Sequence, residues 1–189
     1  MKIRSSHSAG IIVGRKFTGK STRLAKIASS YPRDSKVLIL DVNQSPAYNK
    51  FPEISISQVK GFKQGVVKLL GTPTEDTLKT IATQFRGGLV IFEDCTKYIS
   101  GNVKPEIKAF LVDHRMWQCD LIFTFHSLKM VPPFFWQMIS YVEILKTQEN
   151  FNNPVNKNRV PNFEKVLEAY NKVNAHPDNY YSLTVETLV

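Results

Sequence analysis

The sequence predicts an α/β fold in which a mainly parallel β-sheet is covered by helices on both faces. Apolar segments of strand length alternate with segments of helical periodicity along the chain, which is typical of this class. The strand segments are apolar throughout rather than at every second residue, as expected where both faces of a sheet are buried. With 189 residues, the chain is long enough for one such domain and too short for two ordinary ones.

The predicted strands share a short, uninterrupted apolar run. They cover residues 9–13, 36–42, 89–94, 119–125, 140–146 and 180–185. The stretch from 47 to 74 is less periodic, and it offers short strands or loops around 54–56 and 66–70.

The predicted helices place apolar residues at three- and four-residue spacing. They cover residues 21–30, 78–85, 104–117 and 162–173, and a short helical segment begins near 131. The stretch 74–77, Thr-Glu-Asp-Thr, offers capping chemistry for the second helix. The Asn-rich stretch 149–159 is predicted to be an exposed loop. We expect a single domain over 1–189, with its core at about 8–147 and a C-terminal helix and strand within 160–187.

Composition narrows the class of protein. No apolar run reaches the ~20 residues of a membrane span, and the first residues lack the apolar core of a secretion signal. We therefore expect a cytoplasmic protein without a membrane span.

Cys95 and Cys119 form no C-x-x-C pair, so they are predicted to be buried thiols rather than metal ligands or a disulfide. The net charge of +9 is compatible with a polyanionic partner such as nucleic acid.

A phosphate-binding pattern follows the first predicted strand. The segment GRKFTGKS matches G-x-x-x-x-G-K-[ST], the Walker A pattern or P-loop, and it opens the first predicted helix. Its backbone N–H groups and the helix N-terminus favour phosphate oxygens, while the lysine contacts the β- and γ-phosphates and the serine holds Mg²⁺. The predicted nucleotide-binding residues are Gly14, Arg15, Lys16, Phe17, Thr18, Gly19, Lys20, Ser21 and Thr22.

A second acidic site is predicted at the end of the strand 89–94. This strand ends in paired carboxylates, Glu93 and Asp94, which is typical of a Walker B segment. Such a segment holds Mg²⁺ and orients the attacking water. By position we assign Glu93, with Ser21, to Mg²⁺ and Asp94 to water activation. The common order is Asp then Glu, so the order is reversed in this chain.

The later half of the core is similar to a known superfamily. Residues 113–127, DHRMWQCDLIFTFHS, together with the two phosphate-site segments and a strand ending at Asp41, resemble the HerA/FtsK superfamily of DNA-pumping ATPases. The resemblance is closest to its small members, the viral genome-packaging ATPases and the Zot-like proteins of filamentous phages. In that superfamily an arginine-bearing helix leads into a strand that ends at a polar sensor residue. Arg115 and His126 occupy those positions, although the usual sensor is Gln.

The resemblance implies a RecA/FtsK-like core that hydrolyses ATP with Mg²⁺ and translocates DNA. It further implies a homo-oligomeric ring, a hexamer, with double-stranded DNA bound non-specifically in its channel and a capsid or membrane complex as docking partner. Arg115 is the candidate for an arginine that acts on the neighbouring subunit's γ-phosphate, and Arg86 is the second candidate. For a viral protein the expected location is the host cytoplasm or the virion.

Two other functions fit a P-loop chain of this length. A small kinase would phosphorylate a nucleotide or another metabolite, but the segment after Glu93 and Asp94 shows no Arg-rich lid. A nucleotide-regulated assembly protein would hydrolyse ATP slowly or not at all, which the intact Lys20, Ser21 and acidic pair disfavour.

Several side chains also have a purely structural interpretation. Arg115 is as well explained as a surface residue, and His126 as a buried histidine at a strand end. A further set is open between nucleic-acid contacts and ordinary core or surface roles: Trp117, Phe134, Phe135, Trp136, Lys60, Lys63 and Lys68.

Overall fold

The structure is a computed structural model that describes residues 7–99 and 101–187. Its strands are β1 (Ala9–Val13), β2 (Lys36–Asp41), β3 (Gly65–Leu70), β4 (Gly88–Phe92), β5 (Cys119–Phe125), β6 (Tyr141–Ile144) and β7 (Leu183–Glu186). Its α-helices are α1 (Lys20–Ser30), α2 (Glu75–Gln84), α3 (Pro105–Asp113), α4 (Pro133–Met138), α5 (Pro154–Arg159) and α6 (Phe163–Ala175). None of the helices in these ranges is long and apolar enough to cross a membrane.

The strands form one sheet in the order β3-β2-β4-β5-β1-β6-β7. The pairs β2–β3, β2–β4 and β1–β6 are parallel, and β7 runs antiparallel to β6. Every residue of β1, β4 and β5 is buried, whereas the edge strands β3 and β7 are partly exposed. The uninterrupted apolar runs in the sequence therefore mark the strands that are covered on both faces.

The chain divides into two compact units. The first comprises residues 7–9, 21–93 and 104–122. It contains β2, β3 and β4 with helices α1, α2 and α3. Phe92, the last residue of β4, packs edge-to-face on Phe110 of α3, with 6.2 Å between the ring centroids. The Thr74 side chain accepts a hydrogen bond from the Thr77 amide at 3.1 Å, which confirms the predicted cap of α2.

The second unit comprises residues 10–20, 94–99, 101–103 and 123–187. It contains β6, β7 and most of β1, with helices α4, α5 and α6. Phe135 of α4 is fully buried and packs edge-to-face on Phe123 and Phe125 of β5, at 4.9 and 5.5 Å between centroids. The neighbouring Trp136 is buried as well, so Phe135 and Trp136 are core residues rather than nucleic-acid contacts.

One predicted loop is wrong, and several predicted boundaries differ from those of the structure. The stretch 149–159 is not an exposed loop, because it contains α5 and buries Phe151. Asn153 accepts a hydrogen bond from the Asn156 amide at 3.0 Å, and Pro154 is the first helical residue, so a helix begins where the composition suggested a loop. The helix expected over 104–117 ends at Asp113, and the last strand begins at Leu183 rather than at 180.

Candidate nucleotide-binding site

The phosphate loop, residues 14–19, connects β1 to α1. Its first residues are fixed by backbone hydrogen bonds: the Gly14 amide donates to the Phe125 carbonyl at 3.1 Å, and the Arg15 amide donates to the Lys146 carbonyl at 2.8 Å. The Thr18 hydroxyl donates to the Arg15 carbonyl at 2.9 Å and closes the loop on itself. The loop therefore starts from a fixed position beside the ends of β5 and β6.

Two glycines of the loop cannot be replaced without rearrangement. A Cβ on Gly14 would lie 2.8 Å from both the Leu145 Cβ and the Thr18 Oγ1. Gly19 has φ +81°, which side chains rarely adopt. Phe17 also has a positive φ, +64°, and its side chain is 93% exposed, so the loop accepts a non-glycine residue in a left-handed conformation at its tip.

Lys20 is the first residue of α1, and its ammonium group folds back over the loop. The Lys20 Nζ donates to the Gly14 carbonyl and to the Arg15 carbonyl, the latter at 2.8 Å. The positive charge of Lys20 is thereby held beside the start of the loop, while the N–H groups of the first turn of α1 lie at its end. This combination favours a chain of phosphates.

Ser21, Glu93 and Tyr48 form a hydroxyl–carboxylate cluster. The Ser21 hydroxyl donates to Glu93 Oε1 at 2.5 Å, and the Tyr48 hydroxyl donates to the same oxygen at 3.0 Å. Glu93 and Tyr48 are both buried. Burial, followed by the charge of Glu93, raises the pKa of the Tyr48 phenol far above its usual value, so this hydroxyl remains a hydrogen-bond donor.

The hydroxyl–carboxylate cluster suits a magnesium ion. Mg²⁺ prefers oxygen ligands, commonly one or two protein oxygens completed by phosphate oxygens and water. The Ser21 hydroxyl and the Glu93 carboxylate are oxygen ligands already in contact with each other, and Ser21 directly follows the lysine of the phosphate loop. These are the two residues that the sequence assigned to the metal.

Tyr48 was missed by the sequence-based reasoning. It lies in the aperiodic stretch after β2, where no spacing rule relates it to the P-loop. Its position is set locally: the Ser45 amide donates to Asp41 Oδ1 at 2.9 Å, and Pro46 begins a single 3₁₀ turn that ends at Tyr48. The one sequence feature that could have predicted this turn is the pair Ser45-Pro46, a capping residue followed by a proline.

Asp94 and His126 form an aspartate–histidine cluster with Thr96 and Thr124. Asp94 has φ +48°, an unfavourable conformation for a residue with a side chain, and its amide donates to the Thr124 Oγ1 at 2.8 Å. Its Oδ1 accepts from the Thr96 hydroxyl at 2.7 Å and lies 2.9 Å from His126 Nε2. Lys97 Nζ is 3.5 Å from the other carboxylate oxygen. The carboxylate is thus buried among hydrogen-bond donors.

His126 directly follows β5, so a strand brings it to the aspartate. Its Nδ1 is buried and has no hydrogen-bond partner among the residues that the structure describes. The residue lines a pocket of about 310 Å³ together with Arg15, Lys16 and Lys129. Three cationic side chains around one pocket provide a favourable environment for an anionic group.

The two candidate arginines have different surroundings. Arg86 Nη1 donates to the Ala82 carbonyl at 3.0 Å and to the Phe85 carbonyl at 2.7 Å, and its guanidinium lies 3.9 Å from the Trp117 ring centroid. The positive charge of Arg86 therefore already interacts with the carbonyl groups at the end of α2 and with the Trp117 ring. Arg115 is exposed in the turn between α3 and β5, which leaves it the better placed of the two to contact another molecule.

The remaining candidates are surface or core residues. Lys60 and Lys63 are exposed, but Lys68 Nζ lies 3.9 Å from the buried Asp41 carboxylate. Cys95 and Cys119 are buried thiols, as predicted, and burial raises their pKa values to about 12 and about 11. Neither thiol is therefore a thiolate at neutral pH.

The fold matches several solved structures. The genome-packaging NTPase B204 from Sulfolobus turreted icosahedral virus 2, in complex with AMP, has a TM-score of 0.74 and 19% identity, over 96% of this chain and 93% of that chain. Its complex with AMPPCP gives a TM-score of 0.73. The N-terminal domain of zonular occludens toxin from Neisseria meningitidis has a TM-score of 0.51 and 14% identity, over 76% and 79% of the two chains. No protein-family model and no curated protein sequence matches.

At these identities the likeness establishes the fold. The predicted P-loop NTPase fold, with a mainly parallel sheet and covering helices, is confirmed. The matched structures also include both kinds of protein that the sequence resemblance named, a viral genome-packaging NTPase and a zonular occludens toxin.

Proposed function

We propose that this protein is an ATP-hydrolysing DNA translocase of the genome-packaging type, which works as an oligomeric ring. The observation that carries the proposal is the site itself: a P-loop with its lysine and serine, a buried carboxylate on that serine, and a second carboxylate paired with a histidine. This set occurs on a fold shared with a viral genome-packaging NTPase.

ATP would bind with its phosphates along the phosphate loop. Backbone N–H groups of the loop and of the first turn of α1 donate to phosphate oxygens. Lys20, held beside Gly14 and Arg15, places its charge on the β- and γ-phosphates. Ser21 and Glu93 would hold Mg²⁺, which neutralises charge on the phosphate oxygens when bound.

Hydrolysis requires a water molecule aligned with the γ-phosphate and a group that accepts its proton. We assign proton acceptance to Asp94, because His126, Thr96 and Lys97 hold its carboxylate in one orientation. His126 then serves as the link between this carboxylate and the cationic pocket, where the γ-phosphate and the departing phosphate would be sensed. Arg115 of a neighbouring subunit supplies positive charge to the transition state.

Double-stranded DNA would bind through its phosphates. The net charge of +9 supports a non-specific electrostatic contact, whose affinity falls steeply with salt. A ring places several such subunits around one duplex, so modest contacts from each subunit suffice for binding.

The proposal is tested by measuring ATP hydrolysis with and without double-stranded DNA, at low and high salt, with light scattering in the same buffer. We expect DNA to accelerate hydrolysis at low salt and the particle to be a ring-sized oligomer. Lys20→Ala should abolish activity, whereas Lys26→Ala, an exposed lysine on the same helix, should not.

Two results would contradict the proposal. A monomer with no response to DNA would exclude the translocase. Phosphate transfer to a small acceptor in place of hydrolysis would favour the kinase instead.

A further inference from the structure

We propose that Tyr180 is the stacking surface for the base of the bound nucleotide. This inference rests on the proposed function, since it assigns the nucleoside side of the same phosphate loop. It names the class of ligand, a nucleoside triphosphate, and one specific contact.

The Tyr180 ring lies directly against the phosphate loop. A Cβ built on Gly19 would be 2.9 Å from the Tyr180 Cδ1 and 3.5 Å from its Cε1. The ring nevertheless remains 66% exposed, so most of it is open to another molecule. The Tyr180 amide donates to Asp178 Oδ1 at 2.8 Å, which orders the turn that carries the ring.

The adjacent tyrosine does not share this environment. Tyr181 stacks on His176, with 3.9 Å between centroids and 15° between the planes. Its ring is thereby already packed within the chain. Tyr180 is the one of the two whose open ring faces the loop, which makes the pair an internal comparison.

The direction of a bound nucleotide follows from the loop. The Lys20 ammonium marks the β,γ-phosphate side, and it sits on the carbonyls of Gly14 and Arg15 at the start of the loop. Gly19 is at the other end, beside the first turn of α1, where backbone N–H groups hold the α- and β-phosphates. The nucleoside extends from the α-phosphate, and therefore leaves the loop on the side where Tyr180 lies.

Stacking on an aromatic ring strengthens binding without selecting among bases, since every base has a π-face. Tyr180 should therefore increase the affinity for adenine and guanine nucleotides by similar factors. It should contribute nothing to the binding of a triphosphate that carries no base.

The test compares AMPPCP, GMPPCP and inorganic tripolyphosphate as ligands, each with Mg²⁺, by calorimetric titration of the full chain. Tyr180→Ala should weaken binding of both nucleotides about tenfold, within the usual range for loss of one stacked base, and leave tripolyphosphate binding unchanged. Tyr180→Phe should bind all three ligands like the parent chain. Tyr181→Ala is the matched control, and it should leave the nucleotide affinity within about twofold, since its ring stacks on His176 instead. The melting temperature of each variant reports whether the fold is intact.

Several results would overturn the inference. Unchanged or tighter nucleotide binding by Tyr180→Ala excludes stacking, and tighter binding would indicate that the ring obstructs the loop. An equal loss for nucleotides and tripolyphosphate, or an equal effect of Tyr181→Ala, would assign the segment a structural role. A parent chain that binds none of the three ligands would overturn the proposed function and this inference together, whereas failure of the inference alone leaves tripolyphosphate and nucleotides bound to the parent chain.

Discussion

Glu93 and Asp94 are consecutive carboxylates, yet their surroundings differ in kind. Glu93 is held by two hydroxyl groups, those of Ser21 and Tyr48. Asp94 is held by a histidine, a threonine and a lysine. Hydroxyl neighbours suit a metal ligand, and the histidine, threonine and lysine neighbours suit a carboxylate held in one orientation.

The difference indicates how one acidic pair can carry two functions. The change of environment occurs at a single residue, where β4 has ended and Asp94 adopts φ +48°. Environment rather than residue type divides roles between neighbouring carboxylates. The reversed Glu-Asp order therefore need not change the chemistry.

The largest effect is expected from a test of whether Asp94 of one subunit acts together with Arg115 of a neighbouring subunit. Arg115→Ala should leave the affinity for ATP nearly unchanged and reduce the rate of hydrolysis by a factor of about 10³–10⁵, the usual effect of losing an arginine finger. Mixing Arg115→Ala with Asp94→Asn should restore part of the activity, because some interfaces then combine an intact arginine with an intact aspartate. Arg33→Ala, another exposed arginine, is the control. No activity in any mixture would reduce Arg115 to a surface residue.

The next test removes the charge of Asp94 alone. Asp94→Asn should bind ATP normally and lower kcat by about 10²–10⁴, the range for loss of a general base. Single-turnover hydrolysis with a parallel binding titration separates the two quantities. Asp76→Asn, an exposed aspartate in the first turn of α2, should behave like the parent chain. Normal turnover by Asp94→Asn would show that the assignment of roles within the pair is wrong.

The complementary change is Glu93→Gln. It should raise the Mg²⁺ concentration needed for ATP binding, since a neutral amide is a poorer ligand for a hard cation. Nucleotide binding measured across a Mg²⁺ titration checks this expectation. If Asp94→Asn, and not Glu93→Gln, raises the Mg²⁺ concentration needed for nucleotide binding, the functions of the two carboxylates have been assigned the wrong way round.

A smaller effect is expected from Tyr48→Phe, which removes one hydrogen bond to Glu93 and keeps the packed ring. Loss of an outer contact that orients a metal ligand commonly lowers metal affinity about 10-fold. Tyr31→Phe is a matched control, because its hydroxyl donates to Asp120 at 2.6 Å outside the site. Both variants should lose stability, but only Tyr48→Phe should shift the Mg²⁺ titration. Equal Mg²⁺ dependence in the two variants would make Tyr48 purely structural.

The smallest effect concerns a histidine that belongs to neither cluster. Burial lowers the pKa of His114, whose Nδ1 lies 2.7 Å from the Leu111 carbonyl and whose Nε2 has no hydrogen-bond partner in the described part of the chain. Because the folded pKa is below the unfolded value of about 6.5, the unfolded chain takes up the proton first. Stability should be full above about pH 6.5 and fall on further acidification, by at most about 1.4 kcal/mol per pH unit from this group.

Thermal unfolding of His114→Gln and of the control His176→Gln, between pH 7 and pH 5, checks that expectation. The slope with pH should flatten in His114→Gln only. An unchanged slope would assign the acid sensitivity to other groups, among them the paired carboxylates.

The sequence predicted the parts of the site that chemistry requires at fixed spacing. Residues that surround a chain of phosphates must be close together in the sequence, and they therefore form a recognisable motif: Gly14, Gly19, Lys20 and Ser21. Tyr48 obeys no such rule, because its contact with Glu93 depends on how the stretch after β2 folds back. The pairing of Asp94 with His126 could not be predicted either, because the two residues are 32 positions apart in the chain, one in a turn and the other at a strand end.

The fold was predicted well where strands are buried on both faces and poorly where polar residues form structure. Continuous apolar runs located β1, β4 and β5. Helix α5 was missed because its sequence is rich in asparagine, and the capping role of Asn153 outweighs that composition. The ring, the DNA contact and the role of Arg115 stay predictions, since each depends on molecules beyond one chain.

The backbone bonds of Gly14 and Arg15 have a mechanical consequence. Through them the phosphate loop begins as an extension of the sheet, tied on one side to Phe125 and on the other to Lys146. These two amide protons should therefore exchange with solvent as slowly as those of the core strands, while the amide of Phe17 at the loop tip exchanges quickly. In the proposed translocase, a displacement of the loop on release of phosphate would pull on the ends of β5 and β6 together. A stiff connection would then transmit most of this displacement to the sheet.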